Sequence, residues 1–279
     1  MAGTGSGSPD GAPRGGYPPL PSALANLEEI LQLGREKQLA VFLDYDGTLA
    51  AITPTPGAAL ITPEMHRALV RLSAKCTVGV ISGRDLPDVR QRVNIDSIVY
   101  AGSHGFEIGG PNGLHAEQPG GIRCLPVLDQ VHQELSQQLS EIRGAIIERK
   151  KFVITVHYRL VAEGETARVE AAVDGASSRH SQLRKSADKK MFELLPDVDW
   201  NKGKAVLSLL EILDLGGPRV LPLYLGDDTT DEDAFRTIHG KGLGIFVGEQ
   251  IGESAATYRL RDCEEVREFL LELAPFCRA

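Results

Sequence analysis

Helical and strand-like periods alternate along the first part of the chain. Leu24, Leu27, Ile30 and Leu31 recur at helical spacing within residues 22–37. The run Leu39–Leu43 is short, apolar and followed by a glycine turn, as a buried strand would be. Thr62-Pro63 has the form of a helix start, a capping hydroxyl and then proline at the first helical position. A strand over Thr77–Ile81, a short helix from Asp85 and a strand over Ile98–Tyr100 follow. This order predicts parallel strands joined by helices that cover the sheet. Phe106–Glu117 reads as a hairpin around Asn112-Gly113.

Beyond that hairpin the pattern changes. Residues 118–126 are rich in glycine and proline and read as a break. A polar helix is predicted over Val127–Arg143, strands over Ala145–Ile147 and Phe152–Val156, a helix over Glu165–Arg184 and a strand over Met191–Leu195. Pro196–Trp200 returns the chain to the first pattern. A helix over Lys202–Leu213, a strand over 220–225, a helix through Phe235, a strand over Gly244–Val247 and a last helix over Cys263–Leu273 follow. The fold class expected is therefore α/β: a Rossmann-like parallel-sheet core over 22–115 and 199–279, with an α+β cap domain inserted over 116–198. Residues 1–21 are rich in Gly, Pro and Ser, cannot bury enough surface to offset their ordering entropy, and read as a disordered tail.

Bulk properties narrow the function classes. The chain has 279 residues, 42% of them apolar, enough for a sizeable core. A net charge of −8 argues against nucleic acid as a partner, so any anion site must be a local basic pocket. Cys76, Cys124, Cys263 and Cys277 show no Cys-x-x-Cys spacing and read as reduced thiols. No apolar run approaches membrane-spanning length and no secretory signal pattern is visible, so a cytoplasmic protein with no membrane partner is expected. A monomer is the default expectation.

The candidate chemistry lies at the ends of the predicted strands. Asp44 and Asp46 follow the first strand, and two carboxylates at i and i+2 project from the same side of an extended chain. Gly47 permits a tight turn and close approach of a ligand, and Thr48 adds a hydroxyl. Ile81-Ser82-Gly83-Arg84, Asn201-Lys202-Gly203-Lys204 and Gly226-Asp227-Asp228-Thr229-Thr230-Asp231-Glu232 each fall at a strand end or helix start. In a parallel sheet those ends share one rim, where ligands bind. Each segment alone has a structural reading: Ser82 as a helix cap, Lys202 as a solvated face, the acidic run as a favoured helix N-terminus. Finding all four in this order by chance is improbable. A P-loop is excluded by the absence of Gly-x-x-x-x-Gly-Lys-Ser/Thr, and neither acidic segment has the spacing of an EF-hand loop.

The motif set resembles that of the haloacid-dehalogenase-like phosphatases, and within them the trehalose-6-phosphate phosphatases. The closer likeness rests on Phe42–Leu49, Ile81–Arg84, Ala101-Gly102-Ser103-His104-Gly105, Glu148-Arg149-Lys150 with Val156–Arg159, and Gly226–Phe235. It covers residues 24 to 275. The resemblance implies Mg²⁺-dependent hydrolysis of trehalose 6-phosphate to trehalose and phosphate. Asp44 would be the nucleophile, forming an aspartyl-phosphate, and Asp46 the general acid and base. Asp44, the Asp46 main-chain carbonyl and Asp227 would hold Mg²⁺, with Asp228 acting directly or through water and Asp231 behind them. Ser82 and Lys202 would bind the phosphoryl oxygens; Lys204 competes for that role, and the Lys-Gly match favours Lys202. Implied substrate-binding residues are Thr48, Gly83, Arg84 and His104 of the core, and Glu148, Lys150, Arg159, Lys189 and Glu193 of the cap. The Lys189-Lys190 doublet leaves the binding lysine open between the two. The expected partner is a small sugar phosphate. Alternative readings are a phosphatase for another glycosyl phosphate, a phosphomutase, and a silent sugar-phosphate sensor, the last disfavoured because Asp44, Asp46, Lys202 and Asp227 are all present.

Overall fold

Helix α1 (Leu27–Gly34) leads into β1 (Gln38–Leu43), which is buried from Leu39 onward. The computed structural model describes residues 19–53, 56–188, 190–249 and 252–277. Most of the tail expected over 1–21 therefore lies outside the described residues, and Pro21 accepts a hydrogen bond from Arg259 N–H at 2.9 Å. Helix α2 (Pro63–Ser73) begins as its sequence predicts, with the Thr62 hydroxyl accepting from Met65 N–H. After it come β2 (Thr77–Ile81), α3 (Leu86–Val93) and β3 (Val99–Gly102). The hairpin is formed by β4 (Glu107–Gly109) and β5 (His115–Glu117), with Asn112 and Gly113 at φ 57° and 75° in its loop.

The middle of the chain forms α4 (Pro119–Gln138), β6 (Ile146–Arg149), β7 (Ile154–His157), α5 (Thr166–Arg179), β8 (Leu183–Asp188) and β9 (Met191–Pro196). It then returns through α6 (Lys202–Ile212), β10 (Val220–Gly226), α7 (Asp231–Ile238), β11 (Leu243–Val247), β12 (Tyr258–Leu260) and α8 (Cys263–Leu273). Two sheets result. The larger has the order β12-β11-β10-β1-β2-β3-β4-β5, parallel except for the β4–β5 hairpin at one edge. The smaller is antiparallel, β6-β7-β9-β8. The chain is thus α/β, a mostly parallel core sheet with a separate antiparallel sheet as its cap.

Period-two burial sets both layers. Along β1, Leu39, Val41 and Leu43 join the core formed with α2 and α8, through Leu69, Leu72, Val266 and Phe269. Ala40 and Phe42 face the opposite layer, with Val206 and Leu209 of α6 and Phe235 of α7. In the cap, Ile154, Val156, Phe192 and Leu194 pack on α4 and α5 through Leu128, Val131, Val169 and Val173. The other face of those strands is left to Thr155 and Glu193, which are register partners.

Four elements differ from the sequence expectation. Helix α4 starts at Pro119, not Val127, because Gly120 and Gly121 serve packing and not a turn: a Cβ on Gly121 would lie 2.6 Å from Phe106. Helix α5 ends at Arg179, and residues 183–188 form β8 instead of a last helical turn. Its polar sequence suits an edge strand, and Lys185 lies over the Phe192 ring at 4.2 Å. Strand β12 is a three-residue edge too short to leave a pattern. Among the described residues no helix is long and apolar enough to cross a membrane.

Candidate active site

Strand order reverses at β1, whose neighbours are β10 on one side and β2 on the other. In such sheets the crevice beyond the carboxyl ends of the strands is the ligand site. Asp44 sits there, tied to β10 by its N–H donating to Leu225 O at 2.9 Å. Lys202, at the first turn of α6, donates its ammonium to Asp44 Oδ1 at 2.8 Å and Asp231 Oδ1 at 2.7 Å. All three side chains are buried. Lys204 turns away to the carbonyl and carboxylate of Asp199.

Asp231 is saturated with donors. Besides Lys202 it accepts from the Tyr224 hydroxyl at 2.6 Å and from the backbone N–H groups of Asp227 and Asp228 at 2.9 and 3.1 Å. It therefore shapes the acidic loop and orients the lysine. Tyr224 was hidden in an apolar run, and only the meeting of β10 and α7 reveals its hydroxyl. Asp228 accepts from Thr230 N–H and Oγ1 at 2.8 and 2.7 Å and from Asp231 N–H at 3.1 Å. Burial would raise the Asp228 carboxyl, but Lys202 and these donors hold it well below the usual carboxylate range.

The rim carries more negative than positive charge. Burial pushes the Asp44 carboxyl well up; Lys202 opposes this, and Asp231, Asp227 and Asp228 reinforce it. Burial works against the Lys202 ammonium, yet Asp231 and Asp44 outweigh it and hold its pKa high. One ammonium thus leaves the cluster short of positive charge. Carboxylate oxygens of Asp44, Asp227 and Asp231 lie within 4.8 Å of one another, and every donor is an oxygen, a set that suits a hard divalent cation. Gly47, at φ 88°, makes room for the Asp227 carboxylate: a Cβ there would lie 2.1 Å from Asp227 Oδ2. The residues present could therefore hold a divalent metal ion, with Asp44 and Asp227 toward it and Asp231 engaged by its own donors.

The neighbouring loop holds the other candidates. Arg84 grips Asp46 bidentately, Nε to Oδ2 and Nη2 to Oδ1, both at 2.7 Å, and reaches Asp88 at 3.0 Å. Burial disfavours its charge, but Asp46 and Asp88 raise its pKa further above the arginine range. Ser82 is buried, its Oγ accepting from Arg84 N–H at 3.1 Å. Thr48 is fully buried, and its hydroxyl has no hydrogen-bond partner among the described residues. Ser103 and His104 adopt left-handed φ values of 49° and 58°, uncommon without glycine. His104 is held by its N–H to Ser82 O at 2.8 Å, and its ring covers Gly83, where a Cβ would come within 2.9 Å.

From the cap, Glu193 meets this loop. Its Oε2 lies 3.4 Å from His104 Nε2; its Oε1 lies 3.2 Å from Thr155 Oγ1 and 3.7 Å from Lys150 Nζ. Burial alone would raise the Glu193 carboxyl, but His104, Lys150 and Thr155 together hold it down at about 2. Glu148, Thr155 and Glu193 form one row across β6, β7 and β9. Glu148 pairs with His157 at 3.2 Å, which lowers its carboxyl despite partial burial. Lys150 lies just beyond β6, in the turn to β7. Arg159 lies in the exposed turn after β7, at the strand's other end. Lys189 lies outside the described residues; Lys190 is left-handed at φ 68°, with its ammonium 5.9 Å from the Tyr158 ring centroid. Thr155 was not singled out and His157 only within the Val156–Arg159 likeness, although their alternation with Ile154 and Val156 marks the polar face of a strand.

A parallel sheet that reverses at β1, an acidic rim with one buried lysine, and an inserted antiparallel cap define a haloacid-dehalogenase-like fold. The family model described as trehalose-phosphatase matches residues 42–264. The chain belongs to that family. It is 44% identical over 244 residues to a trehalose-phosphate phosphatase of Mycobacterium tuberculosis, covering 85% of this chain and 62% of that relative. It is 37% identical to a probable trehalose-phosphate phosphatase of rice, covering 91% of this chain and 74% of that one. The solved C-terminal domain of the Candida albicans trehalose-6-phosphate phosphatase shares the fold, with a TM-score of 0.77, 24% identity and coverage of 92% and 99%. The chain thus spans less than two thirds of the mycobacterial relative's length.

Proposed function

We propose that the protein is a Mg²⁺-dependent phosphatase that hydrolyses trehalose 6-phosphate. The observation that carries the reading is the Asp44–Lys202–Asp231 cluster on the core rim, flanked by a polar cap row that reaches His104 through Glu193. We divide the chain into a core of 22–115 and 199–279 and a cap of 116–198, with β5 at the junction. A monomeric, cytoplasmic enzyme fits a chain with an acidic surface and free thiols.

In this reading the Asp44 carboxylate attacks phosphorus, the phosphorus–oxygen bond to the sugar breaks, and Asp46 gives its proton to the departing sugar oxygen. Asp46 then takes a proton from water, which attacks the aspartyl-phosphate and frees phosphate and Asp44. Lys202, Ser82 and Thr48 bind the phosphoryl oxygens, and Arg84 fixes the direction of Asp46. Magnesium, held by Asp44, the Asp46 carbonyl and Asp227 with Asp228 nearby, supplies positive charge against the phosphate dianion. Glu148, Lys150, Glu193 and His104 read sugar hydroxyls as paired donors and acceptors, with Gly83 leaving room for the His104 ring. Arg159 and one lysine of the Lys189-Lys190 pair would also bind the sugar.

The test is phosphate release from a panel of sugar phosphates, ranked by kcat/KM. Trehalose 6-phosphate should lead, activity should vanish with EDTA and return with Mg²⁺, and Asp44→Asn should abolish turnover while keeping the fold. A hexose bisphosphate product in place of free phosphate would mean a phosphomutase. Turnover by Asp44→Asn would exclude the mechanism.

A further inference from the structure

Asp85 is the residue before α3, where an aspartate ordinarily accepts a hydrogen bond from the first helical turn. Its side chain makes no such bond. Both oxygens are engaged elsewhere. Oδ1 accepts from the Ser103 hydroxyl at 2.7 Å, and Oδ2 accepts from the Lys151 backbone N–H at 3.0 Å. Ser103 precedes His104 on the core loop, and Lys151 follows Lys150 in the β6–β7 turn.

These are the two segments whose side chains face Glu193, His104 at 3.4 Å and Lys150 at 3.7 Å. The connections close a ring that passes between core and cap twice, once at Asp85 and once at Glu193. A second tie lies alongside: the Lys151 ammonium bonds Glu107 and Glu117 of the β4–β5 hairpin, each at 2.6 Å. That tie anchors the cap turn to the sheet edge but does not touch the loop bearing His104. Asp85 joins that loop to the turn by hydrogen bonds, on the side away from Glu193 and beside the stacked Phe106 and Phe152 rings. The loop also needs a tether, because the left-handed Ser103 and His104 are held against their own preference.

We propose that Asp85 is a positioning residue for substrate selection. Its carboxylate fixes the cap turn that carries Lys150 to the core loop that carries His104, so that Glu193 meets the sugar in one geometry. The helix cap it could have made is given up for that bridge. This role rests on the phosphatase reading for its consequence, though the tether itself does not.

Asp85→Ser in the full chain separates the two. Serine can cap α3 but is too short to reach both partners. Without substrate, exchange of the Lys151 backbone amide should quicken by roughly tenfold or more, the worth of one hydrogen bond to a charged group. Unchanged exchange would overturn the tether. With substrate, the ratio of kcat/KM for trehalose 6-phosphate to that for p-nitrophenyl phosphate should fall by roughly tenfold, mainly through KM. Equal losses on both substrates would show a general structural role and overturn the proposal. Ser103→Ala cuts the ring from its other side without touching α3, and should move the ratio in the same direction; an unchanged ratio there would count against the ring. If the unaltered protein hydrolyses the aryl phosphate but not trehalose 6-phosphate, the proposed function fails, and amide exchange alone still decides the tether.

Discussion

Replacing Glu193 by glutamine should cost the protein stability in a way that depends on pH. Glu193 is buried, with His104, Lys150 and Thr155 around its carboxylate. Its carboxyl is held at about 2, against an ordinary 4.5. That depression corresponds to about 3 kcal/mol of folding stability at neutral pH. The sign follows from linkage: a carboxyl depressed by folding stabilises fully above its unfolded value, and loses the contribution as pH falls from about 4.5 toward 2. Glutamine is nearly isosteric but carries no charge and titrates nowhere in that window. Urea unfolding of the two proteins should therefore differ by about 3 kcal/mol at pH 7 and by less than half of that, roughly 1 kcal/mol, at pH 3. A gap of the same size at both pH values would mean that Glu193 contributes shape or hydrogen bonding and not charge. No gap at pH 7 would mean that the cluster does not hold the carboxylate as its geometry implies.

Two further outcomes follow from the rim. Gly47→Ala should abolish Mg²⁺-dependent turnover and weaken Mg²⁺ binding measured by calorimetry, because the new Cβ would lie 2.1 Å from Asp227 Oδ2 at a φ of 88°; a variant that binds Mg²⁺ normally would refute that account. Lys202→Met should destabilise the metal-free protein by about 3–5 kcal/mol at pH 7, the usual cost of leaving buried charges without their partner, and saturating Mg²⁺ should recover part of the loss in thermal melts; a melt unchanged by the substitution would contradict the buried pairing.

How much of this was legible depended on where each residue's reason lay. Asp44, Asp46 and the Asp227–Asp231 loop were readable because each follows a strand whose residues are buried and therefore apolar. The local pattern alone placed those carboxylates at a strand end. Helix α4 was misread at its start because Pro119, Gly120 and Gly121 carry a turn signature, yet proline suits a first helical turn and Gly121 leaves room for Phe106 and Phe152. Strand β8 was missed because an edge strand lined with Lys185 and Ser186 lacks an apolar period. Tyr224 and Asp85 were legible as residues but not in their roles. One looked like core and the other like the start of a helix, and their partners arrive from seven residues away in one case and 18 and 66 in the other. Arg84 was singled out for substrate, and the structure adds its pairing with Asp46 and Asp88, which lie 38 and four residues away.

The arrangement separates two tasks that a phosphatase for one sugar must combine. On the rim, the nucleophile candidate, the lysine and the acidic loop are fixed by β1, β10, α6 and α7, all within the core sheet's packing. Those groups see a phosphoryl group and nothing beyond it. Glu148, Lys150 and Glu193 belong to the cap and stand on the face of its sheet opposite α4 and α5. Packing within either layer cannot fix the distance between these two sets. It must be fixed where the layers meet, and among the described residues the charged crossings are Asp85 to Lys151, Lys151 to Glu107, and His104 to Glu193. An apolar contact joins the layers as well: the buried Phe106 ring of the core stacks on Phe152 of the cap at 5.5 Å between centroids, and Gly121 of α4 leaves room for both. On the proposed function, the choice of sugar then depends on those charged crossings and on that aromatic stack together.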